Sequence, residues 1–518
     1  MTIRPLSTLA ALLAASPLCA LAGAVPASPH RAPLAWLTAA ADDPSKEAVT
    51  AYESARDAAL GVRLEALKEL ADWCQNRKAL RIRNELYRQI LEAEPDNSMA
   101  RKVLRYRRDR DTGAWTRKAP PREPKAGKPE VVKEGNEKLA AINDAYITAA
   151  MDTLESGRSD LGPMFVHEAI VELSKAAPGH PKVTAALRLV AGPDGTWVQA
   201  ETEAARERRK RLEKELKAYA KDTPPVQKGS VQSAEGQWGV AWTDPVEAGF
   251  VRVLAPSDLP EREKVAKELY RLWRLLPSLT GKEVEPPESQ SIYLLESNGQ
   301  VPTLVEKCPS IPSDTRTMYK KMYKYLDGII PAPAAYVCYG EKPAHRLETA
   351  ICSAVELFLL KDYGITYQRG WVTSGLRHYI SELTVGTRTT FQGGLLPTVK
   401  MKASVNKGKL VPWRSAAAKA IREAPGGSLE LTMDMSLTSM RDTEILIAYA
   451  LVSYLIEGHE PALFGSVLEA MPDSSTVAPS KSLAKIMDMP MAIFEQRLLR
   501  WLDETSQPEA AKKKRGYR

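Results

Sequence analysis

The sequence predicts an α+β protein: helical repeats with small β-hairpins, followed by a second domain built from a small sheet and helices. Three observations predict it. Two N-terminal stretches, 91–117 and 173–199, resemble each other, which indicates an internal repeat. After residue 236, strand-like and helix-like segments alternate and end in paired helices at 351–380, as in an α+β domain. The 518 residues are too many for one core and suit two or more domains.

The first segment has the pattern of a secretory signal peptide. Arg4 supplies the positive start, and the apolar run "STLAALLAASPLCALA" (7–22) is too short to span a bilayer after cleavage. Small residues predict cleavage after Ala22 or Ala24. No later stretch is long and apolar enough for a membrane helix. We therefore expect a periplasmic or secreted protein without a membrane span.

The chain is basic, with a formal net charge of +8. Much of the excess lies in three segments, 101–110, 119–129 and 510–518. No aromatic side chains alternate with the charges of the second and third segments, as a base-stacking surface would require. The pattern favours solvated linkers and a solvated tail over nucleic-acid binding.

Four cysteines remain after removal of the signal peptide: Cys74, Cys308, Cys338 and Cys352. They contain no CxxC pair, which argues against a structural zinc knuckle. In an oxidising compartment Cys308 and Cys338 could form a disulfide. An equally good interpretation is that all four cysteines are buried free thiols.

The internal repeat gives the same order of elements twice. Pro95 and Pro178 are 83 positions apart, and Trp115 and Trp197 are 82 apart. Each copy reads as a helix, a proline-containing turn, a short helix and a hairpin-like turn with a glycine. The two copies resemble tetratricopeptide-like helical hairpins, which implies a scaffolding or docking surface. The tryptophans are expected to anchor the hairpins rather than to bind ligands.

The remaining N-terminal segment, "ETEAARERRKRLEKELKAYAKD" (201–222), has mixed charges at helical spacing and little apolar face, and is predicted to be a solvated spacer helix. The predicted organisation is a signal peptide (1–24), a linker (25–45), a helical repeat with a basic proline-rich linker (46–130), a second repeat with the spacer helix (131–222), a linker (223–235), a second domain (236–505) and a basic tail (506–518).

In the second domain, strands are predicted at 238–242, 250–255, 291–297 and 334–340, with an amphipathic helix at 262–276. The last strand leads directly into the helical stretch "ICSAVELFLL" (351–360). The next helical stretch is "GWVTSGLRHYI" (370–380), and two more follow at 444–458 and 494–502.

In their order and spacing, these segments resemble the peptidase MA-like (gluzincin) group, particularly its secreted bacterial branch with N-terminal helical repeats. In that group an HExxH helix supplies two zinc-binding histidines and a glutamate that acts as the general base. A second helix, often beginning "WLxEG", adds a glutamate ligand. The resemblance covers about half the chain.

When the first helix is aligned with this pattern, none of its three catalytic positions holds the residue that the peptidases have. Cys352 stands at the first histidine position, Ser353 at the catalytic glutamate and Glu356 at the second histidine. No HExxH occurs anywhere in the chain, so a conventional zinc peptidase is excluded. On the second helix, Ser374 replaces the third ligand.

The surroundings of the site are better preserved. The resemblance implies that Trp371 and Gly375 support the groove. The sequence thus predicts an exported non-catalytic pseudopeptidase without a cofactor, whose partner is a protein or peptide. The alternative is a metal-dependent hydrolase with an altered zinc site formed by Cys352, Glu356 and His378. A polar stripe that fills a vacated cavity with hydrogen bonds explains the same residues.

Overall fold

The computed structural model describes residues 44–386 and 412–512, apart from residues 111, 118–123, 125–126, 194, 326–327, 333, 340–342 and 424–427. The predicted signal peptide, nearly all of the first linker and residues 513–518 of the basic tail lie outside the described residues. The described chain is mostly helical with one small mixed sheet, which confirms the α+β class.

The N-terminal part contains the same order of elements twice. The first set is α1 (Lys46–Asn76), α2 (Leu80–Ala93), α3 (Ser98–Val103), β1 (Arg107–Arg108) and β2 (Trp115–Thr116). The second set is α4 (Pro129–Ser156), α5 (Arg158–Ala176), α6 (Pro181–Leu187), β3 (Leu189–Ala191) and β4 (Trp197–Gln199). The two sets share two apolar cores: the core of α1–α3 includes Val131 of α4, and the core of α4–α6 includes Tyr52 of α1.

The two hairpins agree in backbone detail. Arg105 and Arg188 follow the short helix of their copy, and both have the left-handed backbone that few non-glycine residues adopt, with φ of 63° and 53°. The strand registers also correspond, since Arg108 pairs with Trp115 and Ala191 pairs with Trp197. Residues 101–110, expected to form part of a solvated linker, lie in α3 and this first hairpin instead.

Helix α7 (Ala200–Lys221) is not the solvated spacer that its charge pattern predicted. Glu201 and Arg208 are buried, and Arg497 donates to Oε1 of Glu201 at 2.5 Å. Arg209 lies 3.3 Å from Oε1 of the buried Glu457. The prediction was wrong because the charges on α7 pair with distant side chains, and sequence spacing shows only the local i,i+4 pairs.

A six-stranded sheet follows α7. Its strands are β5 (Gln227–Lys228), β6 (Val246–Ala248), β7 (Val251–Leu254), β8 (Gln290–Leu294), β9 (Gly328–Ala332) and β10 (Ala335–Cys338), in the spatial order β5-β6-β7-β8-β10-β9. The three inner strands β7, β8 and β10 are parallel, and the outer pairings are antiparallel. The intervening helices are α8 (Arg262–Thr280), α9 (Val301–Lys307) and α10 (Ser313–Met322).

Three of the four predicted strands are present as β7, β8 and β10. The strand predicted at 238–242 is wrong: Glu235–Trp238 forms a 3₁₀ turn, and the following residues form no strand. Glu235 accounts for the difference, because its buried carboxylate accepts bonds from Arg252 at 3.0 Å and from the hydroxyl of Tyr293 at 2.8 Å. Strand β5 lies in the segment predicted to be a linker (223–235).

The C-terminal part is helical. Its helices are α11 (Pro343–Tyr363), α12 (Gly370–Val385), α13 (Trp413–Glu423), α14 (Ser428–Asp434), α15 (Asp442–Glu457), α16 (Pro461–Glu469), α17 (Pro479–Met487) and α18 (Met491–Lys512). The largest apolar core joins them to α8 and one face of the sheet. None of the helices in the described ranges combines the length and the apolar character that a bilayer crossing requires.

The cysteines follow the second of the two alternatives. Cys74, Cys308, Cys338 and Cys352 are buried thiols, and no disulfide joins them in the described part of the chain. Cys308 lies 3.1 Å from the hydroxyl of Ser310.

Candidate functional site

Helix α11 is held deep in the C-terminal core. It begins a few residues after β10 and packs on α8 and on that strand. Near its start, the buried Arg346 donates from Nε to Oε1 of Glu261 at 2.7 Å, which fixes the helix to the residue before α8. Every residue from Arg346 to Val355 is buried. Polar side chains on this helix therefore need partners within the protein.

Helix α12 packs between α11 and α15. A Cβ atom added at Gly375 would lie 2.4 Å from the carbonyl oxygen of Ala448 and 2.5 Å from Val452, so only glycine permits this approach to α15. Trp371 is fully buried in the same core. Both residues support the packing of α12. Gly375 does so at the contact with α15.

The structure brings both ligand positions of α11, Cys352 and Glu356, together with a residue of α12. Cys352 and Ser353 are buried, and Glu356 is partly buried with a side-chain exposure of 24%. The hydroxyl of Ser353 donates to the carbonyl of Ala350 at 2.7 Å, one turn back on its own helix. Ser353 is thus engaged with the backbone rather than directed at a ligand.

Arg377 of α12 completes this arrangement. Its Nη1 lies 3.0 Å from Oε1 of Glu356, and its guanidinium also donates a hydrogen bond to the thiol of Cys352. The Arg377 side chain is almost wholly buried, with 2% exposed. A permanent cation therefore contacts both positions that would hold zinc in a gluzincin. We call Arg377, Glu356 and Cys352 the arginine cluster.

Burial and charge set the protonation of the cluster. Burial raises the pKa of the Cys352 thiol although Arg377 opposes the shift, so the sulfur stays protonated at neutral pH. Burial alone would lower the pKa of Arg377, but Cys352 and Glu356 raise it above its ordinary value. Zinc binding needs a thiolate and a site free of competing cations. In the cluster, zinc would have to displace both the thiol proton and the guanidinium beside it.

Ser374 and His378 lie on another side of α12. Nδ1 of His378 is 2.7 Å from the carbonyl oxygen of Ser374, and its ring stacks on Trp413 with centroids 5.2 Å apart. Within the described residues, no three His, Cys, Asp or Glu side chains form a group that could hold a metal ion. The proposed zinc set of Cys352, Glu356 and His378 is therefore not assembled.

Two tyrosines, Tyr336 and Tyr319, lie near enough to Glu356 for its charge to act on them. Burial, and after it the nearby Glu356, raises the pKa of Tyr336 on β10 well above its usual value, so the phenol stays neutral. Tyr319 of α10 bonds the edge strand β9, where its hydroxyl lies 3.3 Å from both the nitrogen and the oxygen of Ile330. A peptide pairing with β9 at Ile330 would have to displace this side chain.

Sequence reasoning missed Arg377, because only the structure shows the burial that requires a charged partner for it. All residues from Gly370 to Ser381 are buried, so α12 is enclosed on every side. A charged residue in such a helix requires an opposite charge on a neighbouring helix. Glu356 is the carboxylate on the adjacent predicted helix that meets this need.

Two surface clefts lie in the helical repeats. One, of about 450 Å³, lies between α2 and α4 and is lined by residues that include Arg81, Ile82 and Leu139. The other, of about 330 Å³, lies among α1, α4 and α5 and includes Tyr52 and Phe165. Both combine apolar surface with charged rims.

No protein-family model, no curated protein and no solved structure matches this chain.

Proposed function

We propose that the chain is an exported, non-catalytic pseudopeptidase that acts as a binding or scaffold protein. The observation that carries the proposal is the contact of Arg377 with both Glu356 and Cys352. On the gluzincin-like alignment, a guanidinium replaces the positive charge that zinc would supply. The packing of the two helices is kept, and the means of activating water is lost.

The chemistry of the remaining residues supports this proposal. Hydrolysis by a gluzincin requires a general base beside the metal. The neutral hydroxyl of Ser353 is too weak a base to take a proton from water at neutral pH. A zinc ion at this site would also be repelled by Arg377 at close range in a poorly solvated environment. A hydrolase with the altered site would need another general base in place of Ser353 and a movement of Arg377 away from the metal.

Binding is assigned to the helical repeats and to the groove that the gluzincin-like alignment predicts beside the arginine cluster. The two clefts between the repeat helices offer apolar surface with charged rims, which suits protein or peptide partners. Since Tyr319 occupies the strand edge at Ile330, the groove is expected to recognise side chains rather than to pair with a strand.

Metal analysis of the purified mature protein, together with a general protease assay, tests the proposal. We expect no stoichiometric zinc and no hydrolysis, with a known zinc peptidase as the positive control. One zinc per chain, lost in a Cys352→Ala variant, would instead establish the altered metal site. N-terminal sequencing of the same sample is expected to show cleavage after Ala22 or Ala24.

A further inference from the structure

Residues 101–117, here called the basic hairpin, comprise α3 from Arg101 onward and the β1–β2 hairpin. This segment contains seven basic residues against two acidic ones. Six of the basic side chains are exposed, and none of the six forms an ion pair with a described residue: Lys102, Arg105, Arg107, Arg108, Arg110 and Arg117. Unpaired arginines concentrated on one small hairpin produce a strong local positive potential.

Aromatic rings hold part of this charge in place. The guanidinium of Arg101 lies 4.8 Å from the ring centroid of Trp115 and 5.3 Å from that of Tyr106. Arg117 lies 5.3 Å from the Tyr106 ring. Such stacking limits the motion of the arginines, so less conformational entropy is lost when they bind a partner.

The second hairpin, here called the docked hairpin (residues 188–199), shows what the same backbone does elsewhere in the molecule. It lies against α18. The backbone N–H of Gln199 donates to Oε2 of Glu504 at 3.1 Å, and Nη2 of Arg500 donates to the carbonyl of Trp197 at 3.4 Å. A guanidinium of α18 therefore contacts β4, and a carboxylate of the same helix contacts the end of β4 together with the hydroxyl of Thr202 at the start of α7.

Three corresponding positions of the two hairpins differ in the same way. Val190 and Ala191 of the docked hairpin correspond to Arg107 and Arg108 of the basic hairpin. Gln199, whose N–H contacts a glutamate, corresponds to Arg117. The backbone is kept, and the side chains change from apolar or neutral to basic. The basic hairpin thus presents the geometry that docks on a helix, with charges suited to a more acidic helix.

We infer that the basic hairpin is the docking surface for an acidic helix of a partner protein. A helix glutamate would meet the backbone of Arg117, as Glu504 meets that of Gln199, and further carboxylates would pair with Arg107 and Arg108. The inference rests on the proposed binding role of the helical repeats. It does not depend on the loss of the metal site.

A protein helix fits the hairpin better than single-stranded nucleic acid does. Bases would need exposed aromatic faces for stacking, whereas Arg101 and Arg117 already stack on the rings of Trp115 and Tyr106. In the same molecule, the docked hairpin already contacts a helix, α18.

The test measures binding of the full mature chain to a labelled helical peptide with glutamates four residues apart on one face. A peptide with glutamines in their place is the neutral control. We expect binding of the glutamate peptide that weakens with added salt. Arg107→Glu combined with Arg108→Glu should reduce affinity by roughly tenfold or more, since two attractive contacts become repulsive.

A matched variant, Lys214→Glu with Lys217→Glu, makes the same change of net charge on the exposed face of α7 and should bind like the wild type. Equal losses in both variants would mean that net charge alone acts, and unchanged binding in the hairpin variant would also overturn the inference. Tighter binding of a single-stranded oligonucleotide than of the peptide would replace it with a nucleic-acid surface. The zinc and protease assays are unaffected by any of these outcomes, so the two proposals fail separately.

Discussion

At the scale of single residues, the buried Arg377 and its carboxylate partner Glu356 determine what the site can do. A buried ion pair contributes little net stability compared with apolar side chains, but removing one partner leaves an unpaired charge at high cost. Because the thiol of Cys352 also depends on Arg377, all three members of the arginine cluster are linked. The cluster is expected to behave as a unit.

Replacement of Arg377 by Met should therefore destabilise the fold strongly. Breaking a buried pair costs about 3–5 kcal/mol, and Glu356 is only partly exposed, so little of this is recovered from water. Urea unfolding at neutral pH measures the loss. Arg377→Met combined with Glu356→Gln removes both charges and should recover part of the stability. If the free energy of unfolding of Arg377→Met lay within about 1 kcal/mol of the wild-type value, the usual cost of an ordinary substitution, a structural role for the pair would be refuted.

Motif spacing alone located Cys352, Ser353 and Glu356 on one helix and Ser374 on the next, and α11 and α12 do pack together. The spacing did not show which face of α12 meets α11. Arg377 reaches Glu356 and Cys352, whereas Ser374 and His378 bond each other and His378 lies against Trp413. Helix rotation is a tertiary property, and a helix buried on all sides carries no amphipathic pattern from which to read it.

At the scale of elements, the contact between α12 and α15 depends on the absence of a side chain at Gly375. The obstructing atom is a backbone carbonyl oxygen, that of Ala448, which cannot move aside as a flexible side chain can. The two helices could accept a larger residue only by separating. This contact is expected to be among the least tolerant in the core.

A Gly375→Ala substitution should destabilise the protein by about 1–3 kcal/mol or more, the usual range for overpacking a core. Gly61→Ala is the matched control: Gly61 lies within α1, and a Cβ there meets nothing within 4 Å. The control should stabilise by roughly 0.5–1 kcal/mol, because alanine is the better helix former. Thermal unfolding distinguishes the two. Equal effects of both substitutions would contradict the close approach of the helices.

Helices were predicted from sequence more reliably than strands. Long apolar periodicity located α8, α11, α12 and α15. Strands β5, β6 and β9 were missed, since β5 and β6 have two or three residues and β9 contains a proline. Segments so short have no measurable period, and they form strands only because neighbouring strands pair with them.

At the scale of the whole molecule, ion pairs join α7 to the C-terminal helices, and hydrogen bonds to backbone groups join the second repeat to α18. The buried Arg497 of α18 contacts Glu201, and the backbone of Gln199 contacts Glu504. His167 of α5 faces the same helix. Burial, together with Arg497 and Arg500, lowers the pKa of His167 to about 4. The neutral ring is therefore part of this interface.

Acid should weaken the fold through His167. In the unfolded chain a histidine has a pKa of about 6.5. Between that pH and about 4, the unfolded state binds a proton at His167 and the folded state does not. Stability attributable to His167 is present above about pH 6.5 and decreases as the pH falls toward 4. Urea unfolding at pH 7 and pH 4.5 should show a smaller difference in His167→Gln than in the wild type. The same difference in His167→Gln and in the wild type would contradict the assignment.

The most direct test of the central claim restores the ligands and removes the guanidinium. The variant carries Cys352→His, Ser353→Glu, Glu356→His and Arg377→Glu, because position 377 is the one on α12 whose side chain reaches both ligand positions of α11. We expect it to bind about one zinc per chain with ligand distances near 2.0–2.2 Å, as measured by metal analysis and X-ray absorption. The companion variant that keeps Arg377 should bind zinc much more weakly, and the wild type should bind none. Stoichiometric zinc in the wild type, or a folded four-substitution variant that takes up no zinc, would contradict the account.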